Sequence, residues 1–184
     1  HQRPVTLRGI MPIFKLRFPI ADIPRWAAAY DYGPGDDDAI AIGQHAKSQG
    51  FLTRPQFLAL ARWKSSRPAK RHAQNDPATI EAVTRFAFTT PIELLRLRSL
   101  TLLHGVQERT ASAILHLCHS DPYPLMDVRA FWSLGVSKVP TDWSGLWIHY
   151  TSACRRIAAA GNVSLRTLDR ALWAYSAHKG RSAS

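Results

Sequence analysis

The chain has 184 residues, 46% hydrophobic and 20% charged, a balance that suits one packed domain or two small lobes sharing a core and excludes intrinsic disorder. Against 24 Lys and Arg stand 13 Asp and Glu, a formal net charge of +11, which favours a polyanionic partner bound through phosphate neutralisation and counterion release. No apolar run approaches the ~20 residues needed to cross a bilayer, and the opening HQRPVTLRGIMPIF has no continuous apolar core of the kind a signal peptide carries.

Residues 1–22 read as an N-terminal arm or a tag-derived segment, with Met11 near a native start. Within it, Phe14, Leu16 and Phe18 alternate with Lys15 and Arg17, the period of a short edge strand or extended arm. The stretch from 23 to 179 reads as one nearly all-helical domain. Pro24 opens a helix carrying Trp26 and Tyr30, and Gly33-Pro34-Gly35 ends it. Asp36, Asp37 and Asp38 then suit the positive end of the next helix dipole better than a metal site. Gly50 closes that helix, and Thr53 with Gln56 forms a capping box for the following one. Pro77 takes a first helical position after Asn75-Asp76, and Thr90-Pro91-Ile92-Glu93 supplies a capping residue, a proline and an N3 glutamate. Ser164 begins a last helix with Leu165, Leu168, Leu172 and Tyr175 on one face, and 180–184 reads as a frayed tail.

Charge is unevenly distributed. From Ala39 to Asn75 there is no acid, while Lys47, Arg54, Arg62, Lys64, Arg67, Lys70 and Arg71 are all cationic. Such a stretch marks a nucleic-acid footprint more readily than a solubilising surface. Cys118 and Cys154 are too few for a disulfide framework or a four-cysteine cluster and read as core thiols in a reducing compartment. His116 and His119 flank Cys118, but no second ligand cluster accompanies them. We therefore expect no metal site there, and a solvated helix end instead.

The segment Leu102–Gly135 carries the chemistry. A Leu-rich helix runs into Gly105, where a tight turn needs backbone freedom. A second helix follows, with Ala111, Ile114, Leu115 and Cys118 at helical spacing. Ala111 and Ala113 are small enough for close helix approach. Such a hairpin, over 92–118, presents backbone N–H groups at a helix start, an anion site that grips phosphate without reading sequence.

LHGVQERTASAIL followed by PYPLMDVRA resembles the helix-hairpin-helix DNA glycosylase superfamily, whose hairpin of the form L-P-G-V-G-x-x-T-A precedes a loop and a catalytic aspartate near a helix start. The resemblance covers about thirty-five residues. It implies an all-α, two-lobed helix-hairpin-helix glycosylase-like fold that binds double-stranded DNA as a monomer, in the cytoplasm and at the nucleoid. Asp127 would be its catalytic carboxylate, stabilising positive charge on the deoxyribose and orienting or deprotonating water; as a bland alternative, Asp127 simply caps the helix beginning at Val128. Gly105, Val106, Gln107, Arg109 and Thr110 would surround the phosphate, joined by Lys64, Arg67, Lys70, Arg71 and Arg129. No organic cofactor is implied, although a hydrated alkali cation would fit backbone carbonyls of the hairpin.

The chain departs from the family's pattern at three points. Gln107 replaces the second hairpin glycine and would be strained at positive φ. Arg109 stands where bifunctional members carry a Schiff-base lysine, and a guanidinium is a poor nucleophile. The cysteine cluster of endonuclease III-like members is absent. These departures favour monofunctional hydrolysis of the N-glycosidic bond of a damaged base, with a non-catalytic or structure-specific DNA-binding protein as the alternative. For base recognition Trp63, beside the basic loop, is the preferred pocket or wedge residue. Lys64 is expected to be a surface phosphate contact, with a displaced amine nucleophile as the minor alternative.

Overall fold

A computed structural model describes residues 11–31, 35–138 and 142–180. Among them there are ten α-helices and no strand. They are α1 (Ile23–Ala28), α2 (Asp36–Gln49), α3 (Arg54–Lys64), α4 (Ala69–His72), α5 (Pro77–Thr89), α6 (Glu93–Leu100), α7 (Glu108–Cys118), α8 (Val128–Ser133), α9 (Trp143–Ala160) and α10 (Leu165–Lys179). No helix among these residues is long and apolar enough to cross a membrane.

Local chemistry sets most of the boundaries. Asp76 caps α5 by accepting the Thr79 N–H at 2.9 Å, with Pro77 at the first position where no N–H is required. Ser164 caps α10 in the same way through Thr167. Gln56 reaches back to the Thr53 N–H at 2.9 Å, the glutamine arm of the expected capping box. The start of α6 differs from expectation: Thr90 ends α5, and the helix begins at Glu93 behind Ile92. Ile92, at φ −91° and ψ 108°, is extended and takes the capping position in place of Thr90. The expected Gly33-Pro34 turn lies outside the described residues, as does the tail beyond Gly180.

The main helix contacts fall into two groups. Helices α2 to α7 pack among themselves, α10 packs on α1, α8 and α9, and α6 with α9 joins the groups. One hydrophobic core runs through both, centred on the fully buried Trp147, Tyr150, Tyr123, Phe131 and Phe57. Trp147 of α9 stacks on Tyr123 at a centroid distance of 5.4 Å, an arrangement that adds to the area both rings bury. Gly43 lets α2 lie directly on the α7 backbone at Leu117, where any Cβ would collide with the carbonyl.

The arm at 13–19 runs without regular secondary structure and pairs with no strand. Lys15 and Arg17 donate backbone N–H groups to the Leu134 and Ser133 carbonyls, each at 2.9 Å, at the end of α8. Phe14 and Phe18 turn into the core while Lys15 and Arg17 stay in solvent, so the period-two pattern is satisfied against a helix end. This part of the arm belongs to the folded domain.

Candidate functional site

Asp127 stands where the two helix groups meet. The extended segment leading to it is fixed by side chains of the neighbouring helices. Ser112 Oγ of α7 accepts the Met126 N–H at 2.8 Å, and the Tyr150 hydroxyl of α9 donates to the Leu125 carbonyl at 2.8 Å. The His116 ring nitrogen Nδ1 lies 2.7 Å from the Tyr123 carbonyl. Asp127 itself is extended, at φ −146° and ψ 145°, and its Oδ1 accepts the Arg129 backbone N–H at 2.9 Å to cap α8. Capping uses one carboxylate oxygen. The other, Oδ2, faces Lys64 Nζ at 2.9 Å and Arg109 Nη2 at 3.3 Å.

That pairing changes the reading of Lys64. The last residue of α3, it keeps only 6% of its side chain exposed, against 15% for Asp127. It is a buried partner of the carboxylate and not the surface phosphate contact expected from its basic surroundings. Burial alone would raise the Asp127 carboxyl, but the Lys64 ammonium, the Arg129 N–H and Arg109 outweigh it and hold the group below the usual carboxylate range. Asp127 is therefore ionised at neutral pH.

A second carboxylate faces the same cleft. Asp169 of α10 pairs with Arg166 at 2.9 Å, and Arg166 also grips Asp36, which Arg170 holds at 3.0 Å. Burial pushes Asp169 above its ordinary range, with His116, Arg166 and Lys64 opposing the rise. The site thus shifts its two carboxylates in opposite directions, Asp127 down and Asp169 up. Asp36, expected only to complement a helix dipole, is buried at the start of α2 and ties that helix to α10. Tyr30, Trp63 and Trp173 complete the walls, with Arg166 over the faces of Tyr30 and Trp63 and Arg129 over Trp173 at 5.1 Å. Between these walls is a cavity of about 20 Å³, which is room for a single water.

Outside the cleft the surface opens into a groove of about 670 Å³ lined by Lys64, Arg67, Arg71, Leu102, Gly105 and Arg109. The turn 101–107 between α6 and α7 forms one bank and the basic loop after α3 the other. Gly105 has φ +80°, and a Cβ there would meet the His72 ring and the Arg71 Cβ at 2.7 and 2.9 Å. Only glycine satisfies both conditions. Asn75 locks the banks together: its side-chain amide donates to the His104 carbonyl at 3.0 Å and its oxygen accepts the His104 N–H at 2.8 Å. His72 Nε2 adds a contact to the Gly105 carbonyl at 3.0 Å, and burial lowers the imidazole's pKa in spite of that bond.

The hairpin corrects several expectations. Helix α6 ends at Leu100, and a series of turns rather than helix leads to Gly105. Gln107 sits at φ −109° and ψ 176°, ordinary extended backbone, so the strain expected of a non-glycine there does not arise. The first paired N–H of α7 is that of Ala111, bonded to Gln107, so the N–H groups ahead of it lie at the open helix end. The Val106 and Thr110 side chains, expected at the phosphate, are buried, and the Val106 N–H is taken by Leu103. His119, read as part of a solvated helix end, is buried with Nδ1 accepting the Asp121 N–H. Cys118 and Cys154 are buried and unbridged, and burial raises each thiol to about 12.

Of the anticipated residues, Asp127, Lys64, Arg109 and Trp63 converge on the cleft, while Arg67, Arg71 and Gly105 line the groove and Lys70 is exposed on α4. Arg129 meets Asp127 through its backbone N–H and stacks its side chain on Trp173. Sequence reading missed Asp169, Arg166, His72 and Asn75. The one available signal was charge at 166, 169 and 170 interleaved with the apolar face of α10. Compared with family models, curated proteins and solved structures, the chain gives no match.

Proposed function

We propose that this chain is a DNA N-glycosylase of two-lobed helix-hairpin-helix architecture. It hydrolyses the glycosidic bond of a damaged or modified base in duplex DNA. The observation that carries the reading is the state of Asp127: a buried carboxylate held ionised, fixed by its own cap, in a cleft with room for one water beside a basic groove. Cleavage of an N-glycosidic bond builds positive charge on the sugar, and a preorganised carboxylate in a site of low dielectric stabilises that charge strongly. The same carboxylate can orient the attacking water and accept its proton. Arg67, Lys70, Arg71 and Arg109, with the open N-terminus of α7, supply the phosphate contacts that fix register on the duplex. Tyr30, Trp63 and Trp173 supply ring faces for an extruded base.

One observation favours a second reading, a structure-specific DNA-binding protein. The cleft has room for a water and not for a base, so the extruded nucleotide enters only if the aromatic walls move. A panel of duplexes, each with one damaged base, separates the two. The glycosylase reading expects base release for at least one lesion, lost in Asp127→Asn with binding retained. Binding across the panel with no release by the wild type would leave the second reading standing.

A further inference from the structure

We propose that the hollow at the far end of α7 is a binding site for a free hydrogen phosphate ion. Helix α7 lends Arg109 and Thr110 at its start to the groove, and His116 with the following His119 at its end to this hollow. Its eleven residues, roughly 16 Å of helix, keep the two apart, so the proposal does not depend on DNA lying in the groove. Lys47 of α2, Ser164 and Arg166 at the start of α10, and Asp121 and Tyr123 also line the hollow. Its volume is about 180 Å³, far more than the ~10–15 Å³ that one water needs.

The walls hold donors that the described residues leave unused. His119 is 2% exposed, and its Nδ1 accepts the Asp121 N–H at 2.8 Å. The proton of the neutral ring is therefore on Nε2, which has no partner. Arg166 turns its terminal nitrogens to Asp169 and Asp36, and its buried Nε is also without a partner. The Leu165 and Arg166 backbone N–H groups lie ahead of that of Thr167, which Ser164 caps. Lys47 adds an ammonium, and Asp121, the carboxylate in the lining, is already held by Arg96.

His116 sets an acceptor among these donors. Its Nδ1 lies 2.7 Å from the Tyr123 carbonyl, which can only accept, so Nδ1 carries the proton and Nε2 is the nitrogen left for a ligand. Burial lowers the imidazole's pKa, Arg166 and Lys64 acting with it and Asp169 against it. At about pH 7.5, above the ordinary imidazole value, the ring is neutral and Nε2 presents a lone pair. A lone pair among donors fits an oxyanion that brings a proton of its own. Hydrogen phosphate brings one, whereas sulfate and the phosphodiesters of a DNA backbone do not.

The test titrates the full chain with sodium phosphate at about pH 7.5 and constant ionic strength, following the imidazole resonances by NMR. Saturable shifts of His116 and His119 are expected, with His104 of the groove unmoved. Sodium sulfate should leave all three in place. Lys47 is exposed on α2, so Lys47→Gln keeps the fold, and it should weaken phosphate about tenfold. No saturable shift at His116, equal shifts with sulfate, or unchanged affinity in Lys47→Gln would overturn the proposal. A shift at His116 produced by duplex DNA and not by free phosphate would overturn it too, and would assign the hollow to the DNA backbone. Base release from the lesion panel is a separate measurement, so the glycosylase reading stands or falls apart from this one.

Discussion

At the scale of single residues, Asp127 combines two duties on its two oxygens. Oδ1 caps α8 and Oδ2 holds Lys64 and Arg109. Asparagine caps a helix about as well as aspartate, so Asp127→Asn keeps the cap, removes the charge and leaves the buried Lys64 ammonium facing a neutral amide. Base release should fall by ~10²–10⁴-fold, while duplex affinity by fluorescence anisotropy holds or rises slightly, because one negative charge has left the phosphate face. The acid response follows from the same groups. Asp127 and Asp36 are both held below the usual carboxylate range in the folded protein, Asp127 by Lys64 against the pull of burial, Asp36 by Arg166 and Arg170 against the same pull. The native state therefore binds fewer protons than the unfolded chain, and their contribution is present above the ordinary carboxylate value and lost as pH falls through the folded one. Urea denaturation at stepped pH should show stability dropping on the acid side of about 4, with a shallower drop in Asp36→Asn. Asp169 acts in the opposite sense, since its raised pKa favours the folded state at low pH.

At the scale of elements, the hairpin works because the turn 101–107 is bound to α4 and not only to its own helices. Gly105→Ala places a methyl group against His72 and Arg71 at positive φ. The left-handed conformation alone costs about 1–2 kcal/mol, and the contact adds to it. Each kcal/mol in a chain of this length lowers Tm by roughly 2–4 °C, so calorimetry should show a fall of several degrees, with DNA affinity reduced as the banks of the groove separate. Ser112→Ala tests the other side of the site. It leaves the buried Met126 N–H unpaired, a cost of about 1–3 kcal/mol, and frees the segment that aims Asp127. The elements themselves were largely legible in the sequence, because caps and periodicities act over a few residues: Asp76-Pro77, Ser164 and Thr53 with Gln56 all stand where local rules put them. The Lys64–Asp127 pair was not, because it joins residues 63 apart and depends on where α3 ends in space. Asn75 was hidden for a related reason: beside Asp76-Pro77 it passes for part of a helix start, and its bonds go to His104 on a distant turn.

At the scale of the molecule, the cationic side chains behind the net charge of +11 divide into those already engaged with carboxylates and those turned outward. Arg166 and Arg170 hold Asp36, Arg155 holds Glu93, Arg96 holds Asp121 and Lys64 holds Asp127. These pairs tie helices together and have little left to offer a DNA phosphate. Arg67, Lys70 and Arg71 are exposed beside the groove, and Arg109 reaches its rim with about half its side chain in solvent. The salt dependence of binding distinguishes the two populations. Each phosphate neutralised on duplex DNA contributes about −0.9 to the slope of log affinity against log salt. Replacing Arg67, Lys70 or Arg71 singly by Ala should flatten that slope by about one per side chain, uniformly across sequences, because phosphate contacts carry no base information. Arg155→Ala should leave the slope unchanged and lower Tm instead, since its guanidinium joins α9 to α6 through Glu93 at 3.0 Å and lies over the Tyr123 ring at 4.8 Å. Equal slope changes for Arg71→Ala and Arg155→Ala would mean that net charge attracts the polyanion and that the groove beside the turn 101–107 has no special claim to it.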